Sequence, residues 1–177
     1  GTVGLANHLE YLLSVAKVYS KNHEVAFIIM GSGARWDHIR TLARKESLDN
    51  IMFLPPGDKE QVRDVLSISD AVYISFKDAP ILASGSPNKF FDGLAAGKLI
   101  IINFKGWIKE VIEQNHCGFA YDPHRPDQFV KQLTPYLTDE SHLKRSQCAA
   151  RRLAEQDYST DKQLQNLQYI FKQTSTI

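Results

Sequence analysis

Val25-Ala26-Phe27-Ile28-Ile29-Met30-Gly31-Ser32-Gly33 is the stretch that decides the architecture. Its apolar run is too short for a helix and does not alternate with polar residues, so it reads as a strand buried on both faces. Gly31-Ser32-Gly33 ends the run, and Trp36, Ile39 and Ala43 follow at helical spacing. Strand, tight turn and helix together are the repeating unit of a parallel sheet.

The same unit recurs in both directions. Upstream, Leu5, Leu9, Leu12, Ala16 and Tyr19 mark one helix face. Downstream come a strand at Ile51-Met52-Phe53-Leu54, stopped by Pro55-Pro56-Gly57, and a short helix marked by Val62, Val65 and Leu66. Ala71-Val72-Tyr73-Ile74-Ser75 is the next strand, followed by a polar loop over residues 77–86 and a helix opened by Pro87 and ended at Gly97. A strand over residues 99–103, a helix carrying Ile108, Val111 and Ile112, and a short strand Gly118-Phe119-Ala120-Tyr121 complete the alternation. From Pro126 the chain is helical, with a terminal stripe at Leu164, Leu167 and Phe171. The pattern predicts an α/β domain of three layers, a parallel sheet with helices on both faces and right-handed crossovers. Ligands of such sheets bind beyond the carboxyl ends of the strands, so function is expected in residues 1–4, 31–33, 55–57, 77–86 and 103–106.

Composition narrows the class of function. The 177 residues suit one domain, and 43% hydrophobic with 23% charged residues is an ordinary globular balance that excludes disorder. A net charge of +1 removes the electrostatic case for nucleic acid. No segment approaches the ~18 uninterrupted apolar residues of a membrane span. The opening Gly1-Thr2-Val3-Gly4-Leu5-Ala6-Asn7 has neither an initiator Met nor a signal-peptide pattern. A domain that opens on a glycine-rich turn is expected to be cut from a longer chain, whose preceding part supplies the strand entering that turn.

Two loops carry candidate chemistry. Gly31-Ser32-Gly33 offers bare N–H groups to a phosphate. A dinucleotide fingerprint needs a further glycine where Trp36 stands, so a phosphate cradle and a plain tight turn remain level. Ser84-Gly85-Ser86-Pro87-Asn88-Lys89-Phe90-Phe91-Asp92-Gly93-Leu94-Ala95-Ala96-Gly97 is more informative. A Ser/Gly loop runs into a helix whose free N–H groups and dipole form an anion site. Ser86 is placed to cap the helix, and Lys89 adds a positive charge. Asp92, one turn deeper on the same face, is positioned to accept hydrogen bonds from two vicinal hydroxyls such as a ribose presents. The bland reading, a capped helix with a Lys89–Asp92 ion pair, has equal weight on spacing alone.

Ser86–Lys98, read as Ser86-Pro87-Asn88-Lys89-Phe90-Phe91-Asp92-Gly93-Leu94-Ala95-Ala96-Gly97-Lys98, resembles the donor-binding helix of GT-B glycosyltransferases of family 4. More narrowly, it resembles the branch acting on amino sugars of bacterial surface polysaccharides. Residues 1–7 are similar to that branch's first turn, and Asn115-His116-Cys117-Gly118-Phe119-Ala120-Tyr121-Asp122-Pro123 is similar to the family's late strand. The resemblance implies that residues 1–177 are one Rossmann-like, nucleotide-sugar-binding domain, the C-terminal half of a two-domain retaining enzyme. The helix over residues 159–177 is then expected to pack towards an N-terminal acceptor-binding domain. It implies a nucleoside-diphosphate sugar as donor, a UDP-sugar first, with no cofactor and no metal. Asp92 would hold the ribose hydroxyls. Gly85, Ser86, Pro87 and Asn88 would surround the diphosphate, together with the turn of Gly1, Thr2 and Gly4, and Ser84 would line the donor side of the same site. Phe53, Leu54 and Pro55 would border the base, and Lys89 would be the catalytic charge that stabilises the departing diphosphate.

The sequence departs from the family pattern in places. Ser84 stands where a first carboxylate, eight positions before Asp92, is usual, so recognition of the donor sugar does not carry over. Thr2 and Asn7 stand where Arg and Lys are common. A sugar-nucleotide epimerase half-domain and a non-catalytic nucleotide-binding α/β module are the alternatives. His8, His23, His38, His116, His124 and His142 lack metal-site spacing, although His8 follows the first turn closely. Cys117 and Cys148 read as reduced structural cysteines of a cytoplasmic protein. Lys144, Arg145, Arg151 and Arg152 share a helical side, read as a solvated face ahead of a weak contact with the inner face of the plasma membrane.

Overall fold

The computed structural model describes residues 1–22 and 24–174. His23 and the last three residues of the expected C-terminal helix lie outside the described residues. The elements, in order, are α1 (Glu10–Val18), β1 (Phe27–Met30), α2 (Trp36–Lys45), β2 (Ile51–Leu54), α3 (Lys59–Ile68) and β3 (Ala71–Ile74). A 3-10 turn (Pro80–Ser84), α4 (Asn88–Ala95), β4 (Leu99–Ile102), α5 (Trp107–Gln114) and β5 (Gly118–Ala120) follow, then α6 (Pro126–Thr138), α7 (Glu140–Asp157) and α8 (Thr160–Thr174). All strand pairs are parallel. The ladders form two blocks, β1-β2 and β3-β4-β5, where one continuous sheet was expected.

β4 shows why the sequence makes this fold. Leu99, Ile100, Ile101 and Ile102 are all buried, because successive residues face opposite layers and both layers are covered. Leu99 and Ile101 pack with Val15 of α1, with Tyr19 just after it, and with Phe129 and Leu133 of α6. Ile100 and Ile102 pack with Phe90 and Leu94 of α4, Ile108 and Ile112 of α5 and Leu153 of α7. A third cluster joins Ile29 of β1 to Leu12, Leu13 and Ala16 of α1 and to Ile39 and Ala43 of α2. Each fully buried Leu, Ile or Phe supplies roughly 1.5–3 kcal/mol, so α4 is clamped by Phe90 and Leu94.

Some local readings are corrected and others hold. α1 begins at Glu10, and Leu5 is 71% exposed. A turn closes before it, with Asn7 N–H donating to Gly4 O at 3.2 Å. Pro87 is the residue before α4 rather than its first, and Ser86 makes no cap bond. α3 carries Val62, Val65 and Leu66 at helical spacing yet buries no residue. Leu164, Leu167 and Phe171 of the terminal stripe are more than half exposed. Cys117 is buried, and burial pushes its thiol up to about 11, whereas Cys148 is exposed and has no core role. Lys144, Arg145 and Arg151 pair with Glu140, Asp139 and Glu155, which favours the solvated face over a membrane contact.

Side-chain bonds tie the loops above the sheet. Asn103, after β4, accepts from Phe76 N–H at 2.9 Å and donates to Phe76 O at 3.0 Å, locking the post-β3 chain. Glu10 at the start of α1 accepts from Arg35, whose own N–H donates to Val3 O at 3.0 Å. Partial burial pushes the Glu10 carboxyl up, but the Arg35 bond and the charges of His8 and Arg35 outweigh it and hold it below the ordinary glutamate range. A lowered value means that the stability is present above that range and lost as pH falls through it. Glu10→Gln is expected to cost about 1 kcal/mol at pH 7. In urea denaturation series the gap from the parent should close as the buffer is taken below the glutamate range.

Candidate functional site

Two glycines set the floor of the site. Gly31 and Gly33 have φ of 151° and 144°, in the region that disfavours side chains. A Cβ on Gly31 would lie 1.8 Å from Gly1 O, and one on Gly33 2.5 Å from Val3 O. The space is taken by the N-terminal strand stub: Thr2 pairs in parallel with Ser32, Val3 N–H donates to Ser32 O at 2.8 Å and Ser32 N–H to Gly1 O at 3.4 Å. Gly31-Ser32-Gly33 is therefore a seat for residues 1–3, and the N–H groups of Gly31 and Ser32 are directed at this chain, to Leu54 O and Gly1 O, rather than at a phosphate. Gly4 N–H is likewise engaged, by Asn7 Oδ1 at 3.3 Å. On the other side, Lys77 N–H donates to Ala6 O at 2.7 Å and the Ser75 hydroxyl to Asn7 O. The first turn is thus strapped to β1 and to the chain leaving β3.

α4 brings the second half. Phe90 N–H closes on Pro87 O at 2.9 Å, leaving the N–H groups of Asn88 and Lys89 at the helix start. The Lys89 side chain lies across Gly1, where a Cβ would stand 2.5 Å from Lys89 Cε and 3.1 Å from Nζ. Burial pulls the Lys89 ammonium below the ordinary lysine range. Among the described residues no carboxylate pairs with Lys89 and no cation pairs with Asp92, so the Lys89–Asp92 ion pair is not formed. Asp92 is exposed. It lines, with Asn88, Gly57, Lys59, Val62 and Arg63, a cavity of about 870 Å³ between α3 and α4. A half-desolvated cation and an open carboxylate one turn apart suit a ligand bearing both phosphate and hydroxyl groups.

Other candidates fall differently. Ser84 donates its hydroxyl to Ile81 O at 3.0 Å, closing its own 3-10 turn. Gly85 O is held by Trp107 Nε1–H at 3.1 Å, which fixes the loop entering α4. The Phe53 ring packs edge-on against Trp36 at 5.6 Å and is half-buried. Pro55 is exposed beside Leu54, whose carbonyl accepts from Gly31 N–H at 3.1 Å.

The family of glycosyl transferases group 1 matches residues 2–153, most of the chain. The chain belongs to that family. No curated protein sequence matches. Among solved structures, the group 1 domain is similar to HepE from Anabaena, crystallised with UDP: 15% identity, TM-score 0.80, covering 100% of this chain and 47% of that one. It is similar to TarM of S. aureus in complex with UDP at 16% identity and TM-score 0.78, over 97% of this chain and 34% of that one. A C-terminal domain of a group 1 glycosyl transferase from Francisella tularensis matches at 16% identity and TM-score 0.72, over 90% of this chain and 84% of that one. These likenesses show the Rossmann-like fold, and the chain spans less than half the length of HepE and TarM.

The group 1 domain also holds a cavity outside the stretches singled out from the sequence. It measures about 580 Å³ above β3, β4 and β5 and is lined by Lys77, Asn103, Phe104, Lys105, Asp122 and His124 among others. Its lining draws on the post-strand loops 77–86 and 103–106, while Asp122 and His124 follow the last strand. No helix among the described residues is long and apolar enough to cross a membrane. Gly31→Ala is expected to cost at least about 2 kcal/mol, from backbone overlap and φ strain together. Ser32→Ala, which keeps every backbone bond, should stay within about 0.5 kcal/mol of the parent. Equal denaturation midpoints for the two variants would contradict the seat.

Proposed function

We propose that this domain binds the nucleoside-diphosphate part of a sugar donor, as the C-terminal half of a retaining GT-B glycosyltransferase of family 4 serving cell-surface polysaccharide synthesis. The observation that carries the reading is the meeting of Lys89 with the Gly1 turn, at a helix start with free N–H groups and, among the described residues, with no carboxylate to neutralise the ammonium. A diphosphate placed there meets a full charge and oriented N–H groups. As the anomeric C–O bond breaks, negative charge grows on the leaving diphosphate, and the preorganised Lys89 stabilises it without solvent rearrangement. In the retaining mechanism that the family resemblance implies, the donor phosphate itself takes the acceptor proton. Asp92, in the cavity beside Asn88, accepts hydrogen bonds from the ribose hydroxyls. The base lies towards Leu54 and Pro55.

A UDP-sugar is the favoured donor, in keeping with the UDP held by HepE and TarM. The surface-polysaccharide role, and the amino-sugar branch within it, rest on the resemblance of residues 1–7 and 86–98. The partner is an N-terminal acceptor-binding domain of the same protein, towards which α8 carries Leu164 and Leu167, each 52% exposed. The reading places the protein in the cytoplasm, consistent with two free cysteines. Ser84 favours a second reading, binding without turnover, because its hydroxyl is turned onto Ile81 O where a sugar-binding carboxylate is usual.

Calorimetric titration with UDP, GDP, ADP and CMP tests the site. One diphosphate is expected to bind, and Asp92→Ala and Lys89→Ala are each expected to weaken it at least tenfold, about 1.4 kcal/mol. Binding indifferent to Asp92→Ala would remove the ribose contact from this helix. Residues 1–177 alone are expected to transfer no sugar, and glycosyl transfer by this chain would contradict the two-domain reading.

A further inference from the structure

The segment after β4 lies against the loop that leads into α4, and it does so at three places. Asn103 is buried and bonds both backbone groups of Phe76, and the Phe76 and Phe104 rings lie 4.8 Å apart. Gly106 has a φ of 118°, and a Cβ on it would stand 2.3 Å from Ala83 O, so only glycine lets the two backbones approach this closely. Trp107 Nε1–H then donates to Gly85 O at 3.1 Å. From Asp78 onward the loop supplies little of its own. Ser84 bonds to Ile81 O and Gly85 N–H to Leu82 O within the turn, and Ile81 is 79% exposed.

Trp107 also spans from this loop to the helix. Its ring meets those of Phe90 and Phe91 at 5.4 and 6.4 Å. At about 3.6 residues per turn, Phe90 and Phe91 occupy the side of α4 opposite Lys89 and Asp92. The indole therefore holds the Gly85 carbonyl on the side away from the two open charges. A peptide unit is planar and trans, so its C=O and N–H point in opposite directions. The Ser86 N–H shares a peptide unit with the Gly85 carbonyl and is thereby turned towards the side of Lys89 and Asp92. Among the described residues nothing accepts from it. Pro87 has no N–H to offer, so Ser86 is the last donor ahead of the free N–H groups of Asn88 and Lys89.

We infer that Trp107 is a positioning residue of the donor site: its indole N–H, by holding the Gly85 carbonyl, aims the Ser86 N–H at the diphosphate. This role rests on the donor reading and belongs to a side chain that itself touches no ligand. The phosphate oxygens then meet the N–H groups of Ser86, Asn88 and Lys89 together with the Lys89 ammonium at the helix start. Without the indole bond the Gly85–Ser86 peptide is free to turn about its flanking dihedrals, and its N–H has to be reoriented whenever a ligand arrives. A donor held in place beforehand avoids that cost.

The test follows the backbone amide resonances of the isotope-labelled chain during titration with UDP, for the parent and for Trp107→Phe, which keeps a ring on Phe90 and loses the N–H. Trp107→Phe is expected to weaken UDP about tenfold, the worth of one hydrogen bond to a charged group, and to lower Tm by no more than about 4 °C. In the parent the Ser86, Asn88 and Lys89 amides should all shift on saturation. In the variant the Ser86 shift should be lost and the other two kept. Replacing the indole nitrogen of Trp107 by sulfur keeps the shape and removes only the donor, so it should reproduce these losses even where the phenyl ring packs poorly. Unchanged affinity with an unchanged Ser86 shift in both variants would overturn the role of Trp107 and leave the donor reading standing. So would a loss in which all three amides fall silent alike, or one seen with the phenyl and not with the sulfur-containing ring, since a purely structural residue does that. A parent chain whose amides ignore UDP would overturn the donor reading itself, and the role of Trp107 with it.

Discussion

The backbone contact of residues 1–3 with Gly31-Ser32-Gly33 is the constraint on which the rest depends. Any side chain at Gly31 would occupy the Gly1 carbonyl, 1.8 Å from the Cβ position. Because that space is left open, the first turn lies against the carboxyl end of β1. From there its carbonyls reach the chain leaving β3, and Gly1 lies under the Lys89 side chain. The turn, the post-β3 loop and the start of α4 come from three distant parts of the chain. They meet above the interruption of the sheet, where open α/β sheets bind their ligands.

The other side of the site is held by packing. Phe90 is fully buried and its ring meets Phe91, Trp107 and Tyr158 at 5.2, 5.4 and 5.9 Å. Gly93 lets α4 press onto the sheet, since a Cβ there would be 2.8 Å from Ile100 Cδ1. Residues that carry no charge thus set where Lys89 and Asp92 stand. The polar residues are left with little to satisfy them within the chain, which is the usual condition of groups kept for a ligand.

Much of this was legible in the residues. The apolar runs at Ile51–Leu54, Ala71–Ile74 and Leu99–Ile102 became β2, β3 and β4, because short uninterrupted apolar runs closed by turn residues mark strands; only β4 is buried on both faces throughout, while Met52 of β2 is exposed. The helix carrying Asn88, Lys89 and Asp92 was readable from Pro87 and Gly97, which bracket it. Less legible were features that depend on partners far away in the chain. Ser84 and Ser86 look alike as donors in sequence, yet one closes onto Ile81 and the other makes no cap bond. Leu5 continues the periodic stripe of α1, but the Gly4–Asn7 turn breaks the helix before it.

By itself the sequence determined the alternation of strands and helices, the parallel sheet and the loops in which a ligand site is built, because hydrophobic period and turn residues are local properties. Only the tertiary structure decided between a phosphate cradle and a seat at Gly31-Ser32-Gly33, and between a Lys89–Asp92 ion pair and two open charges. Both outcomes depend on which distant atoms fill the space: Gly1 and Val3 carbonyls in the first case, the Gly1 turn under Lys89 in the second. Those are long-range contacts, set by how the layers pack rather than by the residues on either side.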